Sequence, residues 1–144
     1  MKKGLYILTS LALAIATTAV LAFVSRDNQS SEKHTEVVLR QIGHRVLHLS
    51  GDSSSRVLPV KHTDDQVYQI RFNKPFSFIP DSLIKVVHTS LNDGGIQESY
   101  IVEVKNSKNR ETVFAYEMNS ASKDIIPCKG RAMDKGDYFV EISF

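Results

Sequence analysis

The sequence predicts an α+β domain behind an N-terminal transmembrane helix. The first 25 residues are almost wholly apolar, unlike the rest of the 144-residue chain. A stretch with apolar residues at three- and four-residue steps follows, and after it come five short β-rich runs separated by polar turns. One further helical stretch interrupts the five runs after the second, which is the order of an α+β domain rather than of a parallel α/β sheet.

Met1-Lys2-Lys3 precedes Gly4 to Ser25, 22 residues without a charge. About 20 mostly apolar residues suffice to cross the hydrocarbon core as a helix. Two lysines before the run and a mixed Arg26/Asp27 after it place the N-terminus in the cytoplasm. A cleavable signal peptide competes, because Val20-Leu21-Ala22 puts small or tolerated residues where a signal peptidase cuts. The run exceeds the usual core of about 7–15 residues and continues through Phe23 and Val24, which favours a retained anchor. Both readings export the remainder. The expected organisation is a signal anchor over residues 1–25 in the inner membrane and an extracytoplasmic domain over 26–144, facing the periplasm or the cell exterior.

The formal charge of +2 resides in Lys2 and Lys3: without them the 18 basic residues become 16, equal to the 16 acidic ones. A nucleic-acid binder would carry a basic stripe, and none is present, so nucleic acid is not expected as a partner. Cys128 is the only cysteine, which rules out an internal disulfide and reads most simply as a small apolar residue at a turn. With no cysteine near the end of the apolar run, a lipoprotein anchor has no support.

The spacer Arg26–His34 is polar. From about Ser31, Val38 or Leu39, Ile42, Val46 and Leu49 recur at helical spacing. Ser30 or Ser31 can cap that helix, and Gly51 stands where a left-handed residue would end it. Arg56–Lys61 and Gln66–Phe72 then read as a hairpin turning at His62–Asp65, with Pro59 making the first strand an edge or bulging it. Asp81 is expected to cap a short helix with Leu83, Ile84, Val87 and Leu91 on its apolar face, stopped by Asn92-Asp93-Gly94-Gly95. Strands follow over Tyr100–Asn106, Thr112–Met118 and Tyr138–Phe144; Ile125-Ile126-Pro127 is expected to pin the loop before the last strand. The last strand puts Tyr138, Val140, Ile142 and Phe144 on one face and Phe139, Glu141 and Ser143 on the other. A membrane-proximal helix, a five-stranded antiparallel sheet and a second short helix form an order similar to that of PAS-like extracytoplasmic sensor domains. Fold alone does not assign function.

Three patterns suggest chemistry. Gly51-Asp52-Ser53 is the triplet that opens the active site of GDSL-type serine hydrolases. A nucleophile elbow, however, sets its serine on a strained turn, usually strand to helix, with backbone amides aimed at the oxyanion, whereas Ser53 follows a helix and precedes a strand. The Asp-x-x-His base of those enzymes is also missing, since the last histidine, His88, has Lys85 at that spacing. The triplet is better read as a helix stop followed by a turn in which Asp52 and Ser53 bond their own backbone. This makes Gly51, Asp52, Ser53 and Pro59 a joint between helix and sheet. His44 and His48 lie one helical turn apart, a metal-chelating spacing, but Arg45 stands where a zinc hydrolase needs Glu; no metal or cofactor is expected, and an exposed helix face accounts for them. Arg56, Arg71 and Arg131 are candidate ligand-binding residues for an anion if the fold gathers them. Asp64, Asp65, Glu98 and Glu103 form no recognisable acid–base pair.

Leu39–Val60, Tyr68–Leu83, Tyr100–Val104 and the segments from Ile125 to Phe144 resemble the extracytoplasmic region of a group of bacterial membrane signalling regulators. The resemblance implies a membrane helix, an external domain of this size, a second membrane helix and a cytoplasmic output module of winged-helix or histidine-kinase type. It implies no ligand or catalytic residue. Asp137 stands where a second cysteine often occurs in that group, and residues 1–144 contain no second span or output module. The chain is therefore read as a free-standing relative or as the N-terminal piece of a longer regulator.

The expected function is that of a non-enzymatic extracytoplasmic sensor domain that binds a small molecule or an envelope protein in signal transduction, with homodimerisation left open. An accessory envelope protein without signalling is the alternative, and an exported serine hydrolase a distant one.

Overall fold

The computed structural model describes residues 30–64, 66–121, 125–127 and 132–144. The chain divides into two compact units, Met1–His34 and Thr35–Phe144. Helix α1 covers 30–49 and helix α2 covers Pro80–Asp93. The strands are β1 (Lys61–Asp64), β2 (Val67–Arg71), β3 (Phe76–Phe78), β4 (Tyr100–Asn106), β5 (Thr112–Met118), β6 (Ile125–Pro127), β7 (Met133–Gly136) and β8 (Tyr138–Ser143).

Six strands form one antiparallel sheet in the order β1-β2-β8-β4-β5-β6, while β3 and β7 pair separately. The last strand in sequence is central: Ile142 lies between Tyr68 of β2 and Val102 of β4, and Val140 between Ile70 and Val104. Period-two alternation sends Tyr68, Ile70, Val102, Val104, Phe114, Tyr116, Val140 and Ile142 into one core with Leu39, Ile42 and Val46 of α1 and Leu83, Val87 and Leu91 of α2. Gly43 sets the distance between helix and sheet. A Cβ there would stand 2.8 Å from side-chain atoms of both Ile70 and Val57, well inside van der Waals contact.

The expected architecture is corrected on two counts. Among the described residues no helix is long and apolar enough to cross a membrane, so the transmembrane helix drops out of the fold assignment; the run Gly4–Ser25 that carried it lies outside the described residues. The α+β class and an antiparallel sheet built from the five expected strands hold; β6 joins that sheet as a sixth strand and β3 and β7 form a separate pair. Ile125–Pro127, expected only to pin a loop, adds the sixth strand by pairing with β5.

Smaller corrections have local causes. Proline has no N–H to give a ladder, and Pro59 splits the expected first strand: Val57 makes an isolated bridge to Phe72, and regular pairing starts only at Lys61. The turn therefore moves beyond Asp64, with Gln66 at φ 62. Asp81 does not cap α2. Ile79 is the N-cap without a side-chain bond, Pro80 occupies the first turn, and Asp81 sits just inside it, where its charge meets the positive end of the helix dipole. In α1, Val38, Leu39, Ile42 and Val46 are buried as expected, but Leu49 is 55% exposed and Leu47 is buried instead.

Candidate functional site

Backbone bonds decide how α1 stops. Gly51 N–H donates to the His48 carbonyl at 3.1 Å and Asp52 N–H to that of Leu47 at 3.0 Å, with Gly51 at φ +76. This is a Schellman stop, whose left-handed residue favours glycine. Asp52 then closes the turn: its carboxylate accepts from the Ser54 N–H at 2.9 Å, the Ser54 hydroxyl at 3.0 Å, the Ser55 N–H at 2.9 Å and the Ser55 hydroxyl. The hydroxyl of Ser55 and the amides of Ser54 and Ser55 hold the Asp52 carboxyl far below the usual carboxylate range. Ser53 is exposed, and the turn is organised by Asp52. Pro59 is exposed between the bridge at Val57 and β1.

Beside this joint lies an apolar cleft of about 180 Å³. Val46, Leu49 and Ser50 of α1's last turns form one wall, Phe78 of β3 and Met133 of β7 another, and Ile79 and Leu83 at the start of α2 a third. Leu49 and Ile79 are each 55% exposed, two large apolar side chains turned to water on one cleft. Ser50, Ser77 and Ser82 also line it, and the Ser50 hydroxyl is committed to the Leu47 carbonyl at 2.7 Å. An apolar cavity of about 150 Å³ accepts a benzene-sized molecule, so this cleft has room for one compact apolar group.

Of the ligand-binding candidates, Arg56 and Arg71 lie on neighbouring segments joined by the Val57–Phe72 bridge, with Asn73 N–H donating to the Arg56 carbonyl at 3.1 Å and Leu58 N–H to the Arg71 carbonyl at 2.8 Å. The Arg56 N–H donates to the Asn73 side chain at 2.7 Å, while Arg71 lies on β2 opposite Phe139 of β8; Arg131 lies outside the described residues, as does Cys128. His44 and His48 are both exposed on α1. Among the described residues no three His, Cys, Asp or Glu side chains cluster as a metal site would require.

The sheet face turned away from the helices holds a partly buried charge cluster that the sequence reading missed. Glu103 and Glu141 are directly opposed on β4 and β8, an arrangement that repels. The Lys105 ammonium binds both, at 2.9 Å to Glu103 and closer to Glu141, and Gln69 Nε2 donates to Glu141 at 2.7 Å. Burial pushes the Glu141 carboxyl up, but Lys105 and Gln69 outweigh it and leave it below its ordinary value. Burial likewise opposes the Lys105 charge, and Glu141 and Glu103 outweigh it to raise that group. Next to the cluster, Phe139 is buried with the Arg110 guanidinium 5.4 Å from its ring centre.

Comparison with protein-family models, curated proteins and solved structures finds no match for this chain.

Proposed function

We propose that residues 35–144 form a non-enzymatic, exported binding domain of sensor type, in which an apolar group seated beside the helix stop alters the packing of α1 on the sheet. The observation that carries this reading is the apolar cleft with exposed Leu49 and Ile79 at the last turn of α1. An occupant there touches the turn that ends the helix, so occupancy and helix position are linked through shared contacts. A ligand moves such an equilibrium only by its different affinity for the two packings. Export is supported by the uncharged run Gly4–Ser25 after Lys2 and Lys3. The resemblance to external regions of signalling regulators supports the sensing role, with a small molecule or an envelope protein as occupant. The absence of catalysis is supported by Asp52, whose carboxylate is engaged by Ser54 and Ser55 next to an exposed Ser53.

The test uses p-cresol, a compact ring with one hydroxyl, titrated into the full chain while amide exchange is followed. The expected outcome is saturable binding, slower exchange at Ser50, Gly51 and Asp52, and loss of both effects in Ser82→Phe, which fills the cleft. Binding that leaves those three amides unchanged, or no binding, refutes the proposal.

A further inference from the structure

At the opposite end of α2 lies a second, chemically different hollow of about 320 Å³, lined by His88, Asn92, Glu98 and Tyr100 with Ile96 and Met118 as its apolar part. Its volume falls within the range of small-molecule sites, about 300–1,000 Å³.

The polar groups here are held in place before any ligand arrives. Asn92 Nδ2 lies 3.0 Å from His88 Nε2, and His88 Nδ1 lies 3.4 Å from the Tyr100 hydroxyl, so the imidazole is held between the two side chains. Behind Tyr100 stands Tyr116, with ring centres 6.2 Å apart. The Tyr116 hydroxyl is buried behind it. Burial pushes the Tyr100 hydroxyl up to about 12, so at neutral pH it keeps its proton as a donor.

Electrostatics selects the ligand's charge. The Glu98 carboxylate lines the hollow, whereas among the described residues no lysine or arginine does. His88 and Asn92 belong to the last turns of α2, and the last turn holds no basic residue. A helix C-terminus carries roughly half a negative charge, which favours a cation close by. The acid at that end, Asp93, is met by Arg45 at 3.6 Å, and Arg45 is not part of the lining. Among the described lining residues an anion would meet Glu98 and the helix end with no lysine or arginine to offset them, while an ammonium group would be stabilised by both.

We propose that this hollow binds a small amino alcohol, open-chain or sugar, whose ammonium group pairs with Glu98 near the end of α2 and whose oxygen accepts the Tyr100 hydroxyl proton. Its residues are separate from those of the apolar cleft, so the two sites stand or fall independently.

Calorimetric titration of the full chain with ethanolamine and glucosamine should give saturable binding by at least one, while acetate and glucose give none. Glu98 is exposed, so Glu98→Gln should melt like the wild type and weaken amine binding about tenfold or more, the loss expected for one charge-assisted contact. Tyr100→Phe keeps the ring and should weaken binding of the same probe, with thermal melting confirming the fold. Silence from both amines, glucose binding as tightly as glucosamine, or an undiminished affinity in Glu98→Gln overturns the proposal.

Discussion

Replacing Gly51 separates the cost of a backbone conformation from the cost of packing. Gly51 has φ +76, and a Cβ built there finds nothing within 4 Å, so a side chain meets no clash and the penalty is conformational. An L-residue in the left-handed region costs roughly 1–2 kcal/mol. Removing a glycine stiffens the unfolded chain and returns about 0.4–1 kcal/mol, which leaves Gly51→Ala destabilising by about 1 kcal/mol. Valine at such a φ sits at the upper end of a 1–3 kcal/mol strain range, giving about 2 kcal/mol. For a unit of about 110 residues each kcal/mol lowers Tm by roughly 4 °C, so Ala should melt about 4 °C lower and Val about 8 °C lower. Asparagine tolerates this region, and Gly51→Asn should stay close to the wild type. Gly95, at φ +73 with an equally open Cβ position, ends α2 through Ile96 N–H to the Leu91 carbonyl at 2.9 Å, and Gly95→Ala should cost the same. Thermal and urea melts of the four variants provide the assay. A Gly51→Val protein that melts with the wild type, or a ranking in which Asn is no better than Val, refutes the helix-stop assignment.

Lys105→Met should destabilise by about 1–3 kcal/mol, because it leaves two opposed carboxylates partly buried without their cation. In the wild type the lowered Glu141 carboxyl contributes stability that is present above its ordinary value of 4.5 and is lost as pH falls through the lower folded-state value. Urea midpoints measured across that acid range should therefore show the gap between wild type and Lys105→Met narrowing at low pH; a constant gap would refute the clamp. Gly43→Ala should lower the urea midpoint by the equivalent of about 1–3 kcal/mol through overpacking against Ile70 and Val57, despite alanine's better helix propensity. Ser53→Ala should leave Tm within about 1–2 °C, since exposed substitutions rarely exceed about 0.5 kcal/mol, and should leave any turnover of an activated ester unchanged. Asp52→Ala should instead loosen the turn, seen as faster amide exchange at Ser54 and Ser55.

What was legible in the chain was local. Alternation over Tyr100–Asn106 and Thr112–Met118 placed β4 and β5, and Gly51 and Gly95 stopped their helices, because side-chain period and left-handed φ are properties of a few neighbouring residues. Within that reach Asp81 still misled, since Ile79 is the N-cap and Pro80, whose fixed φ suits the first turn, opens the helix two residues earlier than a cap at Asp81 would. Leu49 also reads as core from its spacing, yet α1 presents Leu47 inward, and the exposed Leu49 meets Ile79 across 30 residues of sequence to form the cleft.

Pairing between distant strands lay beyond that reach. The central place of β8, the short β3–β7 pair and the Lys105 clamp on Glu103 and Glu141 depend on register between segments up to tens of residues apart, which no local pattern encodes. The same holds for both hollows, whose walls come from opposite ends of α2 and from strands that meet it only in the folded unit. The sequence by itself determined an α+β chain of alternating strands and two stopped helices; tertiary structure decided the sheet order and which side chains face one another, because those depend on which distant surfaces bury each other best.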